Sequence, residues 1–123
     1  MARHLSLVLA TLCAVAAMPA IANAHALLKK AIPAVGSTIA TSPREIRINF
    51  SEGVEPSFSG IALTSQAGVS MPVGKSRVDP SDEATLILPV SGSLKPGTYT
   101  VGWHALAIDG HKTQGTFQFT VQP

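Results

Sequence analysis

The metal-capable residues of this chain are few, and their positions restrict what they can do. His25 directly follows Ala22-Asn23-Ala24, and His111 closes the tripeptide Asp109-Gly110-His111. A cut after Ala24 gives His25 a free α-amine. That amine and the ring Nδ1 of the same residue can close a six-membered chelate around a metal ion. A ring nitrogen of His111 makes a three-nitrogen set, and the Asp109 carboxylate can complete or flank it. Asp and His two apart can face one side of an extended segment, and around a loop Gly110 lets the backbone turn to suit. Asp-Gly alone is also a common hairpin dipeptide, so the motif takes its meaning from the combination. Nitrogen and oxygen donors in a tetragonal arrangement favour Cu(II), which heads the affinity order of the divalent first-row metals. Zinc can use the same ligands tetrahedrally, but an exposed amine–imidazole chelate suits copper better. Both donor types must be deprotonated to bind, so affinity should fall with acid.

The cut itself is expected from the residues ahead of it. Arg3 and His4 form a basic head, Leu5 to Ala17 an apolar run, and Ala22-Asn23-Ala24 a small-residue exit. That order describes a secretory signal peptide over residues 1–24, with the domain occupying 25–123. The apolar run is shorter than the roughly 20 residues that span a membrane. Cys13 lies inside it, after the bulky Leu12, so lipid attachment is not expected.

Composition narrows the function further. Of 9 Lys and Arg, Arg3 belongs to the leader, leaving 8 basic against 7 acidic residues. A net charge of about +1 makes no electrostatic case for nucleic acid or an anionic membrane surface. Cys13 is the sole cysteine. An exported domain from 25 onward therefore rests on its core without disulfides, and no thiolate is available for zinc or copper(I).

The elements that must position the histidines read as strands. Ile46, Ile48 and Phe50 alternate with polar neighbours, and large apolar residues recur at every second position in Ile61 and Leu63, in Leu86 and Leu88, in Tyr99, Val101 and Trp103, and in Phe117, Phe119 and Val121. Period-2 runs bury one face of a strand and wet the other. Turn residues interrupt them at Pro33–Gly36, Thr41–Pro43, Gly53–Pro56, Gln66–Gly68, Asp79–Ser81, Ser91–Gly97 and Asp109–Gly110. About seven short strands with such punctuation predict an all-β sandwich. Pro96-Gly97-Thr98-Tyr99 suits a tyrosine corner, and Asp109-Gly110-His111 falls between the last two strands.

Three segments together resemble the CopC-type periplasmic copper-binding proteins, a copper-resistance and copper-homeostasis family. They are His25-Ala26-Leu27-Leu28, the stretch from Ile48 through Ser51-Glu52-Gly53 to Glu55, and the end from Gly97 through Trp103 and Ile108-Asp109-Gly110-His111 to Phe117. The resemblance implies an immunoglobulin-like Greek-key sandwich or barrel. It implies one Cu(II) per chain, held by the mature amino-terminal His25 with Asp109 and His111, and a nearby carboxylate falling on Glu52. It suggests exchange with a CopD-like inner-membrane transporter or other periplasmic copper proteins. Two departures matter. Met71 is the only thioether left after residue 24, too few for the methionine-rich Cu(I) site of some members. His104 stands where relatives often carry a basic residue, and strand parity sets it opposite Trp103.

The expected function is a soluble, monomeric periplasmic carrier or buffer of Cu(II), not an enzyme. Terminal-histidine copper centres also serve oxidative polysaccharide-cleaving enzymes. The short chain and the scarcity of flat aromatics for sugar stacking argue against that reading. A non-metal immunoglobulin-like binding module is the third class, in which His25 would be accidental. Protein isolated from the periplasm is expected to begin at His25, as intact-mass measurement would show; a different first residue overturns the chelate.

Overall fold

The computed structural model describes residues 27–123. The expected leader 1–24 and His25 lie outside the described residues. Eight strands form: β1 (Leu28–Ile32), β2 (Thr38–Ile39), β3 (Glu45–Phe50), β4 (Gly60–Ser65), β5 (Arg77–Asp79), β6 (Asp82–Pro89), β7 (Gly97–Leu106) and β8 (Lys112–Val121). One sheet has the order β1-β3-β6-β5 and the other β2-β8-β7-β4. A 3-10 turn at Pro56–Phe58 lies between β3 and β4. The architecture is the two-sheet sandwich expected from the alternation, with the Greek-key topology that the resemblance implies.

Two sheets form because each carries one apolar face that must be covered. Ile46, Ile48 and Phe50 of β3 and Leu86 and Leu88 of β6 meet Val101, Phe117 and Phe119 in one core. Tyr99 stacks on Phe119 with centroids 5.7 Å apart, and its hydroxyl donates to the Lys95 carbonyl at 2.6 Å. That bond over four residues is the tyrosine corner, and it keeps a buried phenol satisfied.

The strands beyond the expected set are edge pieces. β1 reads Leu-Lys-Lys-Ala-Ile, with a register shift between Leu28 and Lys30 where it pairs with β3. β2 and β5 have only two and three residues. Short or charged edges show little alternation because one flank pairs and the other meets water. β6 also departs from simple alternation: Ile87, on the face opposite Leu86 and Leu88, is only 1% exposed. Arg47 of β3 is paired with Ile87 across the sheet, and its guanidinium continues over β6 to Asp79 of β5. Its stem shields Ile87 while its charged head stays at the surface.

Asp79 is held well. Its Oδ1 accepts the Ser81 N–H at 2.9 Å and the Ser81 hydroxyl at 2.8 Å, and its Oδ2 accepts from Arg47. These bonds, the Ser81 amide foremost, favour the ionised form and lower its pKa to about 2. A carboxylate with a depressed folded-state pKa contributes stability above its unfolded value of 3.8, and that contribution fades as pH falls toward 2. Asp79→Asn should therefore melt below the parent near neutral pH, with the gap closing between about pH 4 and pH 2. Thermal unfolding across that window checks it, and a constant gap contradicts the assignment.

Candidate metal site

The site begins with a turn that only its own sequence permits. β7 ends at Leu106, and Ala107-Ile108-Asp109-Gly110-His111 leads into β8. Gly110 has φ +96°, a left-handed backbone that an L side chain rarely adopts. The Ala107 N–H donates to the His111 carbonyl at 2.8 Å, and the Gly110 N–H to the Ala107 carbonyl at 2.8 Å. Asp109 Oδ1 accepts the His111 backbone N–H at 3.1 Å and lies 3.2 Å from His111 Nδ1. A ring whose Nδ1 is engaged by a carboxylate presents Nε2 as its metal donor, the carboxylate–histidine pairing common beside metals. Both side chains face solvent.

A second segment, Ser51–Glu55, is fastened against this turn. The Ile108 N–H donates to the Gly53 carbonyl at 3.1 Å, and the Glu55 N–H to the Leu106 carbonyl at 2.8 Å. Val54 and Ala107, both buried, form the bridge between them. Gly53 is needed where the strands approach: a Cβ there would stand 2.5 Å from Ile108 Cδ1. Glu52, half-buried, is thereby carried to the same end of the sandwich as Asp109 and His111.

The same segment also holds the start of the described chain. The Leu27 N–H donates to Ser51 Oγ at 2.9 Å, and the Ser51 N–H donates to the Leu27 carbonyl at 2.8 Å. Ser51 thus clamps both polar groups of a residue only two positions after His25. Sequence reasoning singled out Ser51-Glu52 for its carboxylate and missed the serine's part. The available signal was a hydroxyl just past a strand end, where backbone groups need partners.

The structure brings Asp109 and His111 into direct contact and Glu52 to their end of the sandwich. Among the described residues it gathers no group of three or more His, Cys, Asp or Glu able to hold a metal ion. Trp103 points inward, edge-on to Phe50 at 5.1 Å and 64°. His104 points outward, exposed, on the opposite face of β7. Met71 is half-buried against the core.

A two-sheet Greek-key sandwich with an Asp-Gly-His turn clamped to the segment that follows β3 defines the class to which this chain is matched. The CopC domain matches residues 28–122, and the chain belongs to the CopC family. Protein YobA of Escherichia coli K12 is 42% identical over 99 residues, covering 80% of each chain. The crystal structure of CopC from Methylosinus trichosporium OB3b superposes with a TM-score of 0.75 at 31% identity, over 80% of this chain and 95% of that one. PcoC, a methionine-rich copper resistance protein from Escherichia coli, superposes with a TM-score of 0.68 at 36% identity, over 80% of this chain and all of PcoC. The family comprises copper-handling proteins rather than enzymes. Among the described residues no helix is long and apolar enough to cross a membrane.

Gly110→Ala should strain the turn by about 1–2 kcal/mol. Hydrogen exchange at the Ala107 amide should then quicken roughly tenfold, with Val101 and Phe119 unchanged. Unaltered exchange at Ala107 would mean that the left-handed turn does not govern the loop.

Proposed function

We propose that the protein is a periplasmic Cu(II) carrier or buffer for copper homeostasis and resistance, binding one ion per chain. The donors are the α-amine and Nδ1 of His25, created by cleavage after Ala24, together with His111. Asp109 orients the His111 ring and lends a carboxylate to the same ion. Glu52 adds a second carboxylate from the neighbouring strand end. A CopD-like inner-membrane transporter, or another periplasmic copper protein, exchanges the ion.

One observation carries this reading: Ser51 fixes Leu27 while its own segment fixes the Asp109–His111 turn. Two residues of chain reach at most about 7 Å beyond Leu27, which supports a site shared by His25 and the turn. The donor set also supports Cu(II) over Cu(I). PcoC is a methionine-rich protein, whereas Met71 alone follows residue 24 here and packs as an apolar side chain.

Protein beginning at His25 should bind Cu(II) at least about a hundredfold more tightly than the same protein with one extra residue ahead of it, a gap of about 2.7 kcal/mol. EPR of the first should show nitrogen-rich coupling that the second loses. His111→Ala should weaken binding with the fold intact, and Glu52→Gln should do so less. Equal affinity with and without the extension would sink the terminal chelate.

A further inference from the structure

A groove lies at the side of the sandwich rather than at the Asp-Gly-His turn. It is open, with a volume of about 910 Å³, and runs between β4, the edge of one sheet, and β5, the edge of the other. Ile61 and Val78 give it apolar lining, and Lys75, Arg77 and His104 line it beside them. No carboxylate lines it. Neither Lys75 nor Arg77 joins an ion pair among the described residues. In a protein of nearly balanced charge, this is a one-signed groove whose cations are uncommitted.

His104 is built into the groove rather than merely present on the surface. It pairs across the sheet with Gly60, and its ring occupies the space a side chain at Gly60 would need: a Cβ there would lie 2.9 Å from His104 Cε1. The main chain offers little to an incoming strand. The outer edge of β4 is already taken by Ser76, whose Oγ accepts the Ile61 N–H at 3.0 Å, and by the Met71 N–H, which donates to the Leu63 carbonyl at 2.9 Å. Recognition here must run through side chains.

We propose that this groove docks an extended acidic segment of the protein that exchanges copper with this one. Its volume is far more than one small anion fills and is in the range of sites that bury several groups of a ligand. An apolar lining beside uncommitted cations suits alternating carboxylate and small apolar side chains, and such charge complementarity speeds encounter and sets orientation. Location adds to the case. Pro56, at one end of the groove, directly follows Glu55, whose N–H is bonded to Leu106 beside the Asp109–His111 turn. A segment lying in the groove therefore brings its protein alongside the metal site. The identity of the partner rests on the copper-carrier reading; the acidic chemistry of the segment does not.

The test uses protein purified from the periplasm and a fluorescein-labelled peptide of about ten residues alternating Glu and Ala, followed by anisotropy. Binding should weaken steeply between about 20 mM and 200 mM salt. The double substitution Lys75→Glu, Arg77→Glu should cost at least about tenfold in affinity. Lys29→Glu, Lys30→Glu makes the same charge change on β1, at the far edge of the β5 sheet, and should cost less than about twofold. Amide shifts in NMR spectra should concentrate at Ile61, Ser76 and Arg77, and Arg77→Gln should reproduce part of the loss if the double reversal perturbs folding. Equal losses in both double variants, no peptide binding, or displacement by inorganic phosphate at the peptide's own concentration would each overturn the groove. Cu(II) affinity, measured separately, should be unchanged in Lys75→Glu, Arg77→Glu. Failure of the unsubstituted protein to bind the peptide while it still binds Cu(II) thus counts against the groove alone, and failure to bind Cu(II) counts against the carrier reading.

Discussion

The backbone of Ser51–Glu55 faces two ways, and the organisation of the site depends on it. On one side Ser51 exchanges hydrogen bonds with Leu27. On the other, Gly53 and Glu55 bond to Ile108 and Leu106 at the end of β7. These three pieces of chain are far apart in sequence and belong to both sheets. Backbone groups at strand ends need partners once neighbouring residues are buried, and buried Val54 and Ala107 remove water from the seam between them. Satisfying that requirement places the beginning of the described chain, a carboxylate-bearing strand end and the Asp-Gly-His turn at one end of the sandwich.

The core below makes this arrangement rigid without disulfides. Phe50 contacts Trp103 from the other sheet, so β3, which leads directly into Ser51, is packed against β7, which leads into the turn. A shift of either strand would disturb close-packed side chains. The outer face of the first sheet is secured differently, with Arg47 spanning β6 to Asp79 over Ile87. Function is thus placed on loops, while the strands that carry those loops are held by burial and by a surface clasp.

Much of the fold was legible in the residues. Alternation marked β3, β4, β7 and β8 and the Leu86–Leu88 part of β6, and Pro96–Tyr99 marked the tyrosine corner. β1, β2 and β5 were not legible, because edge strands need not alternate when one flank has no neighbour. Nor does alternation account for Ile87: it assumes that the outward face meets water, whereas Ile87 lies on that face beside Arg47 and is buried. At the candidate site, the donor types and the Asp-Gly turn were readable, whereas the clamp by Ser51 was not, since a serine after a strand has many possible partners. His104 illustrates the same division. Its outward direction follows from parity with Trp103, but its place over Gly60 depends on which strand lies alongside.

The sequence alone determined the chemistry on offer after residue 24: the imidazoles of His25, His104 and His111, one potential terminal amine, seven carboxylates, no thiolate and the single methionine Met71. It also determined that these would be borne on short strands and tight turns, because period and turn composition are local properties. Only the tertiary structure decided which of them share an end of the sandwich. Leu27, Ser51, Gly53 and Ile108 meet through hydrogen bonds and packing between distant segments, and no local pattern records such a register. The groove of Lys75, Arg77 and His104 is likewise a tertiary outcome: β4 and β5 follow one another in sequence but fall at the edges of different sheets, and His104 comes from β7 beside β4.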